Sequence, residues 1–238
     1  MIKVSRVEIS GLANALYGMR LPKNSNHKTD TWCKVYDFNN KNICDISLEY
    51  VDNNTKVIET HVGEEDKRLS SMLVLAGTDH GKWLRQIQVS MLIEAPMTFW
   101  WDFDTYKVAT VKNSSSRMHK ITSRLLNEND FSWDNEDGEL ILTPFREEQL
   151  KHLNEYIEEF NNKSTTKEKK DELFRLIIQD LPDSYNFKAI WTGSAQTCRA
   201  YYFARRNHKQ KELRDLAKIM SEFKEIGYYI SLEKQLDK

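Results

Sequence analysis

Apolar and polar positions along this chain change spacing several times, and each change marks an element. Residues 2–9 alternate imperfectly, as a strand does, and residues 20–31 form a polar loop. Residues 45–50 are a further strand candidate. From Gly63 the spacing turns helical: Leu69, Met72, Leu73 and Leu75-Ala76 recur along a helix that stops at Gly77. Glu64, Glu65 and Asp66 occupy its first turn, where the helix dipole favours carboxylates. Another element starts near Thr78-Asp79; beyond Trp83, the alternation of Ile87, Val89, Met91 and Ile93 predicts a buried strand running to Ala95-Pro96. Residues 97–107, rich in Phe and Trp, predict a helix.

The second half repeats the helical spacing. Residues 126–140 are acidic and contain Asp137-Gly138, a turn signal. Thr143-Pro144 opens a helix through residue 160, on which Leu150, Leu153, Ile157 and Phe160 are three or four apart. A polar connector over 161–170 precedes a helix over 171–181 that Pro182 ends, and two closing helices are predicted over 187–204 and 210–223. No repeat and no long linker divides the chain, so the prediction is a single α+β domain over residues 1–238.

Composition narrows the function. Thirty-five Lys and Arg against 36 Asp and Glu leave a net charge of −1, which argues against a protein held to nucleic acid by bulk charge. Cys33, Cys44 and Cys198 are odd in number and lack metal-ligand spacing; with no signal peptide, they are expected to be reduced thiols of a cytoplasmic protein without structural zinc or any other metal. The longest apolar runs, such as 72–76, are far too short for a membrane span. One stretch does carry chemistry. Residues 105–117, Thr-Tyr-Lys-Val-Ala-Thr-Val-Lys-Asn-Ser-Ser-Ser-Arg, crowd hydroxyls, amides and cations together, which suits an anion and above all a nucleotide phosphate.

The layout of that stretch resembles the signature of the flavin-dependent thymidylate synthases, the ThyX family: Arg-His-Arg, seven residues, then Ser, one residue and Arg. Here Thr105-Tyr106-Lys107 stands for the triplet, followed by seven residues, Ser115, Ser116 and Arg117. Thr110 stands where the family often has Ser, and Asn113 where it usually has Glu. His80, the strand, Ala95-Pro96 and the helix into the triplet follow the family's order. So do Leu181-Pro182, Ile190-Trp191-Thr192, Arg205 and the stretch His208 to Arg214, with Arg206 one residue away as an alternative to Arg205. The resemblance covers about residues 78–217, with 126–140 as an acidic insertion. It implies a ThyX-like fold in which an antiparallel or mixed sheet packs with long helices, in a homotetramer whose sites are built from several subunits.

The resemblance also implies roles. Ser115, Arg117 and Asn113 would seat the phosphate and sugar of a pyrimidine deoxynucleotide such as dUMP, and Arg205 would polarise the base. His80, Thr105, Tyr106, Lys107 and Thr110 would border FAD, with His80 also near the reacting centre. The implied reaction moves a one-carbon unit from methylenetetrahydrofolate to C5 of the pyrimidine, with NADPH recharging the flavin. The residues by themselves allow plainer readings: a solvated Ser-rich loop at 113–117, a helix-end arginine at 205, a polar His80, a Tyr106 packed under its helix. Asp102 and Asp104 fit either a cation or ribose contact or an exposed helix face. Ser194, Ala200 and Ile178 replace family Asn and Arg positions, so fewer flavin and phosphate contacts remain than in typical members. A non-catalytic nucleotide-binding protein on the same scaffold is therefore the alternative.

Overall fold

The computed structural model describes residues 2–116 and 120–234. The alternating run becomes β5 (Gln88–Pro96), whose Val89, Met91, Ile93 and Ala95 are fully buried. It pairs with β1 (Lys3–Ser10) on one side and β7 (Asn186–Ser194) on the other, and β6 (Val111–Ser114) completes a four-stranded antiparallel sheet in the order β1-β5-β7-β6. A second antiparallel sheet places β2 (Trp32–Asp37) between β3 (Asn42–Ser47) and β4 (Thr55–His61). Around them lie α1 (Leu12–Arg20), α2 (Glu64–Leu75), α3 (Met97–Phe103), α4 (Pro144–Asn161), α5 (Lys167–Asp180), α6 (Ala195–Arg205), α7 (Lys211–Ser221) and α8 (Gly227–Ser231).

Several predicted boundaries shift, each for a local reason. The helix expected over 187–204 is a strand followed by a helix. Ala189, Trp191 and Gly193 point inward on β7, and Ser194 then caps α6, its Oγ accepting from the Thr197 N–H at 3.2 Å. A methyl group at Gly193 would sit 2.4 Å from the Trp191 ring, so the small residue is what lets that indole lie flat across the strand. The helix expected over 97–107 stops at Phe103, where the N–H groups of Thr105 and Tyr106 turn back to the carbonyls of Asp102 and Phe103 at 3.1 and 3.0 Å. Helix α5 starts at Lys167 rather than 171 because the Thr166 hydroxyl caps it. Of residues 45–50, the first three belong to β3 and 48–50 form a 3₁₀ turn.

Two apolar clusters hold the molecule together. The larger includes Leu16, Leu84, Ile87, Met91, Phe99, Trp100, Phe103, Trp191 and Tyr201. The smaller gathers Leu153, Ile157 and Ile177 of α4 and α5 with Ile121, Leu126, Phe131 and Trp133. Phe131 stacks on Trp133 with ring centres 4.2 Å apart, so the acidic stretch 126–140 contributes core side chains as well as solvated charge.

The start of α2 is capped from a distance. Gly63 at its N-cap has no side chain, and the Asp30 carboxylate supplies the acceptor, taking the N–H groups of Glu65 and Asp66 at 2.9 and 3.0 Å. A β-carbon at Gly63 would fall 2.1 Å from the Asp30 carboxyl carbon. Partial burial raises the Asp30 pKa, but these N–H bonds, with Arg20 nearby, outweigh it and hold the group below its ordinary value. Asp30→Ala should thus lower stability by about 1 kcal/mol, as loss of a helix cap does. A pKa lowered in the fold means stability present above the unfolded value and lost as pH falls through the folded one. Wild type and Asp30→Ala should accordingly converge in acid melts; a gap that stays constant below the carboxylate range would refute the cap.

Candidate functional site

Two concavities meet at Arg85, and the smaller is lined by the chain leading from α3 into β6. The smaller, 680 Å³, is walled by Thr105, Tyr106 and Lys107, by Gly193 and Ser194 at the end of β7, and by Gln196 and Thr197 in the first turn of α6. The Ala195 and Thr197 N–H groups at the start of α6 are taken by the Ile87 carbonyl at 2.9 Å and by Ser194 Oγ at 3.2 Å, so the positive charge this wall offers an anion comes from Lys107 and Arg85 with the positive end of the helix dipole. Thr110 is not in the wall; its hydroxyl donates to the Tyr106 carbonyl at 3.2 Å and steadies the turn. Ala109, in the left-handed region at φ 53°, redirects the chain into β6. Thr105 donates its hydroxyl to the Asp102 carbonyl at 2.7 Å.

Tyr106 is half-buried and committed to the aromatic core. Its ring meets Tyr201 edge-on with centres 5.0 Å apart, and Phe103 lies at 6.4 Å. Burial raises the Tyr106 phenol pKa, with Arg205 pulling it partly back and Asp102 adding to the rise. Packed in this way, the ring forms part of the cavity wall.

Arg205 ends α6 on the other side of that ring. Its guanidinium carbon is 5.7 Å from the Tyr106 ring centre, and Nη2 lies 2.7 Å from Asp102 Oδ1. That pair is charge against charge, off the angle of a good hydrogen bond, since Oδ1 has no hydrogen-bond partner among the described residues. Arg205 Nε is likewise buried and without a hydrogen-bond partner among the described residues. Asp102 is therefore the arginine's partner and not a solvated face. Asp104 pairs with Lys112, whose ammonium also sits 4.9 Å from the Trp100 ring centre.

Asn113 and Ser115 lie on and just past β6, the edge strand, with all four β6 residues exposed. Ser115 is tied to Lys188: its N–H donates to the Lys188 carbonyl at 2.8 Å, and its hydroxyl accepts the Lys188 N–H at 3.3 Å. Arg117 lies outside the described residues. His80 borders the larger concavity, 1370 Å³, between the end of α1, the loop after it, α2 and the 3₁₀ helix Gly81–Gln86. The structure does not gather the expected set into one cavity. Thr105 to Lys107 share a cavity, Arg205 backs onto it through Tyr106, Asn113 and Ser115 occupy the adjoining strand edge, and His80 faces the other concavity. Arg85, which sequence reasoning missed, is in the wall of both.

Comparison with known proteins places the whole. The family profile "Thymidylate synthase complementing protein" (Thy1) matches residues 39–226. No curated protein matches the chain. A crystal structure of Thymidylate Synthase X (ThyX) from Helicobacter pylori with FAD and dUMP shares the fold at TM-score 0.62, with 16% identity, over 97% of this chain and 98% of that one. Another, of flavin-dependent thymidylate synthase ThyX from the same organism complexed with FAD and dUMP, aligns at TM-score 0.60 and 15% identity over 95% and 98%.

Proposed function

The chain belongs to the Thy1 family of thymidylate synthase complementing proteins, and from that membership we propose that it is a flavin-dependent thymidylate synthase converting dUMP to dTMP. The carrying observation is that the match spans most of the chain and that the fold runs almost end to end with the Helicobacter pylori ThyX structures, which contain FAD and dUMP.

In this reading Arg205 is the electrophilic residue. Its buried, unpartnered Nε is the kind of donor that a pyrimidine carbonyl would satisfy, and a guanidinium there stabilises the negative charge that develops when C5 becomes nucleophilic. Asp102 orients the guanidinium until substrate arrives. Asn113, Ser115 and Arg117 seat the phosphate and sugar, a hydroxyl and a forked guanidinium two residues apart suiting one phosphate. The exposed edge position of β6 favours their serving a neighbouring subunit's Arg205, in a homotetramer. For FAD, the smaller cavity fits in part: Lys107, Arg85 and the start of α6 offer positive charge, while Tyr106 is packed away. Bound flavin, reduced by NADPH, supplies the hydride that completes a methyl group derived from methylenetetrahydrofolate. Among the described residues no helix is long and apolar enough to cross a membrane, and both Cys33 and Cys198 are buried free thiols, which supports a cytoplasmic setting.

The test uses dUMP tritiated at C5. With FAD, NADPH and methylenetetrahydrofolate, purified protein should release tritium and form dTMP. A protein that binds dUMP, takes up no flavin and releases no tritium would instead be the non-catalytic binder.

A further inference from the structure

Where α6 ends, a buried donor and a buried acceptor lie side by side, each without a hydrogen-bond partner among the described residues: Arg205 Nε and Asp102 Oδ1. The guanidinium meets the carboxylate through Nη2 at 2.7 Å, which leaves the Nε hydrogen on the same edge of the fork unused. Buried polar groups are seldom left in this state, because each carries the cost of its lost hydration. A ligand that satisfies both at once must present an acceptor next to a donor.

The backbones that carry the pair are fixed. Asp102 sits in the last turn of α3, and its carbonyl takes the Thr105 N–H at 3.1 Å and the Thr105 hydroxyl at 2.7 Å. The Arg205 carbonyl takes the His208 N–H at 3.0 Å, and the Tyr106 ring, packed on Tyr201, lies against the guanidinium. Freedom is left to the ends of the two side chains, which are 24% and 26% exposed. The terminal torsion of an aspartate is soft, so a small turn there opens Nε and Oδ1 to a ligand without moving either helix. The edge so presented, an N–H beside a carboxylate oxygen, is complementary to a ring amide, whose C=O and N–H stand next to each other. Phosphates and carboxylates offer acceptors alone and do not match it.

We propose that Asp102 determines base specificity by accepting the N3–H of a uracil ring while Arg205 Nε donates to the neighbouring ring carbonyl. The inference rests on the proposed synthase reading and deepens it, because it names the hydrogen that the site requires of its base. A carboxylate only accepts, so a methylated N3, or the bare N3 of cytosine, leaves Oδ1 unpaired. A site built to hydrogen-bond one N–H rejects an analogue lacking it more strongly than shape alone does, since its own buried group is then stranded.

Calorimetric titration of full-length wild type, Asp102→Ala and Asp102→Asn with dUMP, 3-methyl-dUMP and dCMP tests this. Wild type should bind dUMP about 10–100-fold more tightly than either analogue, the worth of one hydrogen bond to a charged group. In Asp102→Ala the three affinities should draw together, because dUMP loses its acceptor and the analogues have none to lose. Asp102→Asn should gain affinity for dCMP about tenfold, since its amide nitrogen donates to a bare N3, and should still reject 3-methyl-dUMP. An aspartate that served only as counter-ion to Arg205 would weaken all three ligands together and leave their ratios at wild-type values. Unchanged ratios in both variants would therefore overturn the inference, as would wild type binding either analogue as tightly as dUMP; dUMP binding by wild type would leave the synthase reading standing. If wild type binds none of the three, both fall.

Discussion

Arg205→Ala is expected to lower kcat by about 10²–10³-fold, the loss seen when one donor to a developing oxyanion is removed. The side chain is positioned for this by its surroundings: α6 ends there, the Tyr106 ring lies against the guanidinium, and Asp102 holds Nη2 while Nε stays unpaired. A donor without a partner carries a desolvation penalty of about 1–3 kcal/mol, which a substrate carbonyl bonded to Nε would relieve. Removing Arg205 also strands the Asp102 carboxylate, so the variant should be compared with Asp102→Asn and with the double substitution. Arg205→Lys keeps the charge but loses the planar fork, and should recover only part of the rate. Near-wild-type turnover in a well-folded Arg205→Ala protein would remove this residue from the chemistry and shift attention to Arg206, which pairs with Glu233 at 3.0 Å instead.

The sequence made β5 and α4 visible, because each carries a strong period of large apolar side chains; it marked α2 by Leu69, Met72 and Leu73, although its buried positions are Asp66, Ser70 and Val74. It hid β7. The inward positions there are Ala189, Trp191 and Gly193, and two of the three are too small to register as apolar, since the Trp191 ring fills the space above Gly193. The three strands between residues 32 and 61 were mostly missed for the opposite reason. Trp32, Ile43 and Ile58 are apolar side chains on exposed positions, which blurs the alternation of β2, β3 and β4. At the site, single residues could be matched to a signature, but their grouping could not. That His80 and Tyr106 face different concavities, that Arg85 borders both and that Asp102 answers Arg205 are consequences of packing between distant segments. No local spacing encodes them.

The clearest case of such packing is Asp66, and Asp66→Ala should be the most destabilising substitution among those considered. The carboxylate is fully buried in the first turn of α2, beside a guanidinium that is itself only 7% exposed. Arg20 Nε donates to Oδ1 at 2.5 Å, and the hydroxyls of Thr29 and Thr31 donate to Oδ2 at 2.5 and 2.6 Å. One side chain thus ties the end of α1 and the following loop to α2, and these segments wall the larger concavity. Removing it leaves a buried guanidinium without its counter-charge, which typically destabilises by about 3–5 kcal/mol. For a chain of this length that is a fall in melting temperature of roughly 6–20 °C. Asp66→Asn keeps the shape but only one acceptor: with its carbonyl toward Thr29 and Thr31 its NH2 faces the Arg20 Nε–H, so it should recover only a small part of the loss. The double variant Arg20→Met/Asp66→Leu should recover much of the loss, because it removes both charges together. A melt of Asp66→Ala within a degree or so of wild type would mean that water reaches Arg20, and the network would then not be what fixes the wall.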